Sequence, residues 1–551
     1  MEKIWMKNWP PGIPRTLKFT GGEVPIHEYL RIRAREMPDK AAIIFYGREI
    51  SYRELDTASD RFAGYLLEQG VWTGDRVAVF MGNCPQYMVA HFGIQKIGAV
   101  VCPCSPLFKE MELEHELTDA GAEILVAWAH LMPVVSSVRE RTGLRNIVAT
   151  HLGDYLPDAP ALPLPDIMKH LPAAGAVAGA DDFLSVVSGG KTDLPPVDID
   201  VRNDIGLLQY TGGTTGLPKG CMLTHYAALF KTASVCAVTE MKAEDVCLVT
   251  MPVFHIAGML AGMNSCIYAG ATQVLMTLFD AEAAMTAIEQ YGISFWYSAV
   301  PMNVAIMAHP EVGNYDLSSL RLCLTSSFGI QLSEEIAKQW EARTGGGLLI
   351  EGAYGLSETH TADTFMPRHR IRYGTVGIPG FEQEFRIVEM TDRTREVPIG
   401  EQGEIAVKNP AVFKGYWNQP EISKGTLVDG WVYTGDIGKF DEEGFLYLLG
   451  RQKEMIKVSG FSVFPEEVEL FLNRHPAIAQ AAVIGVPDPK KGEVVKAFIV
   501  PYPGQDVSAD EIRQWARGNM SSYKCPVYVE FRESLPTLGT GKLLRRVLKE
   551  Q

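Results

Sequence analysis

TGGTTGLPKG, residues 211 to 220, places four glycines, three threonines, a proline and a lysine in ten positions. Glycine lets consecutive backbone N–H groups turn inward together, and threonine hydroxyls add donors. A lysine on a flexible stem brings a cation to the same place. That combination suits a polyanion, most simply a chain of phosphates. A surface turn would need the glycines and the proline but not three threonines and a lysine. Two familiar phosphate motifs are excluded. The GxxxxGK[ST] pattern fails because Lys219 follows Pro218 and precedes Gly220, while Gly541–Lys542 is followed by Leu543 and has Pro536 where the upstream glycine belongs. GxGxxG fails because position 214 is a threonine.

On either side of this loop the texture is that of an α/β protein. From Pro38 to about Ala353 short apolar runs (AAIIFY, RVAVFM, AVVCP, EILVAW, VCLVTM, TQVLM, SFWYS, RLCLTS, GLLIEGAY) alternate with amphipathic stretches such as SYRELDTASDRFAGYLLEQG and EEIAKQWEARTG. The first of these opens with Ser51 and Glu54 at capping-box spacing. Such alternation predicts parallel sheets covered by helices. After about Gly380 the strands FEQEFRIVEM, GEIAVKN, WVYTGDIGKF and FLYLLG are separated by turn residues, which predicts a small antiparallel β subdomain over 380–449. Beyond Gly450–Lys453 the pattern changes again, to a compact α+β domain over 454–551, so the large N-terminal domain spans 1–449.

Composition narrows the class. The 551 residues are 46% hydrophobic and 21% charged, ordinary for a globular chain, and the length calls for more than one domain. A net charge of −15 argues against a nucleic-acid partner and requires any anion to be held by a local group of cations. Nine dispersed cysteines without a CxxC pair are those of reduced thiols, and the start MEKIWMKNWPPGIP lacks the apolar run of a secretory leader, so a cytoplasmic location is expected. Between Asp245 and Asp280 no Asp, Glu, Lys or Arg occurs. Pro252, His255, Asn264 and several glycines interrupt that run, and it reads as a buried strand–helix–strand unit rather than a transmembrane segment.

QYTGGTTGLPKG resembles the signature loop of the adenylate-forming enzymes, the superfamily of acyl-CoA synthetases, luciferases and adenylation domains. Seven further motifs occur at the family's spacing, one upstream of the loop and six downstream: NCPQYMVAHFGIQKIGAVVCPCSP, MPVFHIAGM, YGLSETH, GYWNQPE, GWVYTGDIG, GRQKEMIKVSGFSVFPEEVE and GTGKLLRR. The resemblance implies a large AMP-binding domain and a mobile C-terminal domain. It also implies ATP, Mg²⁺ and coenzyme A as co-reactants, and a small-molecule carboxylic acid as substrate. Thr211, Gly212, Gly213, Thr214, Thr215, Gly216 and Lys219 would clamp phosphates, with Thr214 also a catalytic candidate. Glu358 would be catalytic and bind Mg²⁺. Tyr354, Gly355 and Ser357 would border the adenine and the acyl head, and Asp436 would accept from the ribose hydroxyls with Arg451 nearby. Lys542 would bridge the carboxylate and the α-phosphate. Lys453, within 450–453, would be the hinge, and Lys457, Ser459, Gly460 and Phe461 would face the nucleotide from the CoA side after rotation.

Chemistry gives these residue types a purpose. A carboxylate must approach a polyphosphate, and like charges at 4 Å repel by roughly 4 kcal/mol at an effective dielectric near 20. Positioning and positive charge are therefore the main demands. The acid is expected to be apolar, since the wall implied by the resemblance (His255, Tyr297, Ser298, Val300, Phe328) has no cation or carboxylate. His255 either gates the acyl tunnel or is a satisfied histidine in an apolar run. One departure stands out: where the family carries a Gly/Ala-Pro-rich stretch, this chain has TSSFGIQLS, Thr325 to Ser333, one residue longer and with the bulky Phe328. The expected activity is AMP-forming carboxylate–CoA ligation of a medium-chain fatty, cyclic or aromatic acid. The alternatives are an enzyme loading a carrier-protein thiol, disfavoured because no carrier segment follows GKLLRRVLKEQ, and a nucleotide sensor, which would not need both Glu358 and Lys542.

Overall fold

The computed structural model describes residues 3–169, 175–211, 217–327, 330–458, 461–489, 491–537 and 543–550. Two seven-stranded sheets form the large part of the chain. The first runs in the order Leu348–Glu351, Leu322–Ser326, Phe295–Ala299, Val246–Val249, Thr272–Leu275, Ala41–Phe45 and Arg48–Ser51. The second runs Asp181–Asp182, Asn146–Thr150, Ile124–Trp128, Arg76–Phe80, Val100–Cys104, Ile205–Thr211 and Lys219–Thr224. Pairing is parallel except at one edge of each, where Arg48–Ser51 and Lys219–Thr224 fold back antiparallel. The expected helix-covered parallel sheets are thus present, each with one hairpin strand added at its edge, where no crossover helix is needed.

The helices follow the local signals. Tyr52–Glu68 starts at a complete Ser51/Glu54 capping box. Pro85–Lys96 has every residue buried, which explains why its sequence shows no polar face. Its Lys96 is satisfied by Asp56 at 2.6 Å and Asp60 at 2.7 Å. The charge-free run is the strand–helix–strand unit the sequence predicts, Val246–Val249 to Thr272–Leu275, but its helix contains a π turn, Met259–Asn264, between Ile256–Gly258 and Ser265–Ala269. Among the described residues no helix is long and apolar enough to cross a membrane. The nine cysteines are free and buried.

Strands Glu384–Val388, Gly403–Lys408, Leu427–Val428, Trp431–Phe440 and Leu446–Arg451 form the antiparallel subdomain. The N-terminal segment is fastened to it: Trp5 stacks on Phe440 at 5.5 Å, and Trp9 meets Phe365 and Phe381 edge-on at 5.4 and 5.0 Å. In the last hundred residues a mixed five-stranded sheet with helices Pro465–Leu472 and Ala509–Asn519 encloses its own apolar cluster, including Ile456, Val468, Val483 and Ile512.

Candidate active site

The signature loop is the tip of the hairpin Ile205–Thr211/Lys219–Thr224, with Thr211 paired to Lys219. Gly212, Gly213, Thr214, Thr215 and Gly216 lie outside the described residues. The loop's returning limb is anchored by His115 Nε2 at 2.8 Å from the Pro218 carbonyl. The Lys219 ammonium sits 4.7 Å from the centre of the Tyr416 ring, whose hydroxyl donates to Glu358 Oε1 at 2.5 Å. Burial and the neighbouring Glu358 carboxylate raise the Tyr416 phenol well above its ordinary range, so it stays a donor. Tyr416 arrives here because Lys414–Trp417 passes beside Gly220–Met222 through an isolated antiparallel bridge, Cys221 to Tyr416, with Met222 N–H donating to the Gly415 carbonyl and Trp417 N–H to that of Gly220. The GYWNQPE motif contains this residue, but nothing in its spacing assigns Tyr416 a partner. A single half-buried carboxylate beside a phosphate-type loop suits Mg²⁺, a hard cation usually held by one or two carboxylates plus substrate phosphates.

Glu358 is carried by an unusual turn. After the short 3₁₀ turn Ser357–Thr359, the residues His360, Thr361 and Ala362 have φ of 56°, 54° and 48°. Left-handed backbone costs roughly 1–2 kcal/mol per L-residue, so three in a row must be held from outside. Asp363 does so. Its carboxylate lies 2.6 Å from Lys231 Nζ, both side chains being wholly buried, and accepts from Asn409 Nδ2 at 2.9 Å and from Thr359 Oγ1. Lys231 also donates to the Ala362 carbonyl at 3.1 Å. Burial pushes the Asp363 carboxyl up and the Lys231 ammonium down, each opposed by the other's charge. Gly355 is needed by close approach, since a Cβ there would lie 2.6 Å from Ala362 N.

Tyr354, Asp436 and Arg451 come together from three motifs. Asp436 and Arg451 are opposite one another on antiparallel strands. Arg451 Nε is 2.8 Å from Asp436 Oδ1, and the Tyr354 hydroxyl donates to Oδ2 at 2.8 Å. The Asp436 carboxylate raises Arg451 further above its usual value, while burial comes first in raising Tyr354. Replacement of Asp436 by Ala is expected to weaken ATP binding by about 1.5–3 kcal/mol, the scale of one charged hydrogen bond. Calorimetric titration of a variant with an unchanged circular dichroism spectrum measures this, and wild-type affinity would remove Asp436 from the nucleotide site.

An apolar cavity lies behind the same turn. Val235, Leu260, Tyr297, Thr361, Phe365 and Phe381 are among its lining residues. Leu260 and Ala261 come from the π turn, a distortion common at functional sites. Of the acyl-wall residues the sequence suggests, Tyr297 alone among the described residues lines this cavity. Ser298 is on the opposite face of the strand, bonded to Asn303 Oδ1 at 2.7 Å, because adjacent strand residues alternate. Val300 is buried at a helix start away from the lining. Phe328 lies outside the described residues. His255 caps Ile256–Gly258, its Nδ1 accepting from Ala257 N–H at 3.4 Å, so it supports the lining helix rather than the lining itself.

Lys453 occupies the 3₁₀ turn Gln452–Glu454 between Leu446–Arg451 and Ile456–Val458. Lys457 lies on Ile456–Val458, its N–H donating to Glu493 Oε2 at 2.8 Å. Phe461 is 55% exposed and stacks on Tyr523 at 4.5 Å. Ser459, Gly460 and Lys542 lie outside the described residues. Three positions beyond Lys542, Arg545 is held by Glu454 at 2.5 Å, Glu466 at 2.8 Å and Glu469 at 2.6 Å. It thereby links the terminal segment to the turn that carries Lys453.

Known proteins share this arrangement. The profile of the AMP-binding enzymes matches residues 30–417, and that of the AMP-binding enzyme C-terminal domain matches 467–542. A long-chain-fatty-acid–CoA ligase of Bacillus subtilis (strain 168) is 36% identical over 100% of this chain and 98% of its own. A feruloyl-CoA synthase of Amycolatopsis sp. is 34% identical over 93% and 96%. The crystal structure of an anthranilate CoA ligase in complex with anthranoyl-AMP superimposes with a TM-score of 0.84 at 27% identity, covering 96% and 97% of the two chains. With its signature loop, its two profile matches and relatives aligned end to end, the chain belongs to the AMP-binding, adenylate-forming enzyme family.

Proposed function

We propose that the protein activates an apolar carboxylic acid, medium-chain fatty, cyclic or aromatic, as its acyl-adenylate and transfers the acyl group to coenzyme A. The observation that carries this reading is a single turn serving two sites. Glu358 faces Tyr416 and the Lys219 side of the signature loop, while Thr361 and Ala362, three and four residues on, line the apolar cavity. A carboxylate whose body fills that cavity is thus brought toward the phosphate side.

In the first half-reaction a carboxylate oxygen attacks the α-phosphorus of ATP, and the bond to pyrophosphate breaks. Lys219 and the signature loop hold the departing phosphates, and Asp436 and Arg451 hold the ribose. Glu358 would hold Mg²⁺, which supplies neutralising charge to the phosphates when bound. Lys542 orients the carboxylate. In the second, the CoA sulfur attacks the acyl carbon and AMP leaves with the bonding electrons. The two steps require different groups at one centre, a physical reason for a moving domain. We assign residues 1–449 to the large domain, with 380–449 its β subdomain, 450–453 to the hinge at Lys453, and 454–551 to the small domain. Its rotation withdraws Lys542 and presents Lys457, Ser459, Gly460 and Phe461.

A panel of carboxylic acids tests the assignment by AMP and pyrophosphate release with and without CoA. CoA-dependent AMP formation from apolar acids is expected. Pyrophosphate release indifferent to CoA would favour a carrier-protein thiol as acceptor, and no release with any acid would favour a nucleotide sensor.

A further inference from the structure

The cavity wall is apolar with few exceptions, and the exceptions differ in one respect. Ser234 donates its hydroxyl to the Phe230 carbonyl at 2.7 Å. Thr364 donates to Val376 and accepts from Tyr354 N–H at 2.8 Å. Gln383 also lines the cavity and is 2% exposed, yet its Oε1 has no partner among the described residues. An unpaired buried amide oxygen carries a penalty that a leucine at the same place would not. Its retention in an apolar wall is accounted for if a ligand completes the bond.

Elimination narrows that ligand group to a neutral donor. An ionised carboxylate only accepts hydrogen bonds and is required at the phosphate side, so it cannot satisfy an amide oxygen. Among the described residues the cavity lining includes no Asp, Glu, Lys, Arg or His, so a charged substituent would be left without a counter-ion there. A neutral hydroxyl both donates and accepts, and so pairs with either face of the carboxamide. We infer that Gln383 is a specificity-determining residue and that the acid accepted here has an apolar body bearing one neutral hydroxyl. This rests on the acid–thiol ligase reading above and deepens it.

The test uses matched acids with and without a hydroxyl on aromatic, cyclohexyl and medium-chain bodies, assayed for CoA-dependent AMP formation. For at least one body, kcat/KM is expected to favour the hydroxylated acid by about tenfold or more, since a site built around a hydrogen bond discriminates against analogues lacking it. Gln383→Leu should abolish or invert that ratio, while leaving the melting temperature unchanged or raised because a buried unpaired amide is removed. An unchanged ratio in Gln383→Leu, a wild-type preference for the unsubstituted acid on every body, or a clear fall in melting temperature would each overturn the inference. Failure of every acid to yield AMP would instead overturn the ligase reading, and this inference with it.

Discussion

Replacing Lys542 with Ala is expected to slow acyl-adenylate formation by about 10²–10³, the scale of losing one preorganised charge donor at a reacting centre. Conversion of supplied acyl-adenylate and CoA to thioester should stay near the wild-type rate. The asymmetry is expected because, in the proposed mechanism, Lys542 acts only while carboxylate and α-phosphate are driven together. Single-turnover kinetics of each half-reaction measures the two effects separately. Equal losses in both would contradict the exchange of groups by domain rotation. The contacts of Arg545 with Glu454, Glu466 and Glu469 place the segment after Lys542 and the hinge turn in one ionic network, so displacement of either is felt by the other.

The other large effect is one of stability. Lys231→Met leaves the wholly buried Asp363 carboxylate without its cation, and removing one partner of such a pair typically costs about 3–5 kcal/mol. Because the chain has more than one domain, the quantity to follow is the first denaturant unfolding transition, which should move to lower denaturant. Lys231→Met combined with Asp363→Leu should recover part of the loss, since no unpaired charge remains. A first transition displaced by less than about 1 kcal/mol in Lys231→Met would show that the left-handed turn is held by other contacts.

Much of this architecture is legible in the sequence because it is written locally. Apolar runs alternating with amphipathic stretches give the strand and helix order, and Ser51 with Glu54 marks a helix start that the structure reproduces. The pleat also contains the reason Tyr297 and Ser298 cannot share a cavity, since they are consecutive on one strand. What is not legible depends on pairs distant in sequence. Lys231 in LFKTAS has the look of a solvated helical lysine, and its partner lies 132 positions away. Tyr416 reaches Glu358 through an isolated bridge to Cys221, 195 positions before it, and Gln383 stands in FEQEF with no motif around it. The π turn Met259–Asn264 is a departure from helical period within a uniformly apolar run, where periodicity has no polar face to report it.

Trp9 touches the apolar cavity at one remove. Its indole packs edge-on against both Phe365 and Phe381, two of the aromatic rings of the lining, and its Nε1–H is fixed to the Ile13 carbonyl at 2.9 Å. The cavity thus has an outer wall drawn from the first ten residues, some 350 positions before the rings it supports. For anyone reshaping acid selectivity, libraries restricted to lining positions would leave this lever untouched. Trimming Trp9 to a smaller apolar residue is expected to give both phenylalanines room to retreat and so to enlarge the chamber without substituting any lining residue.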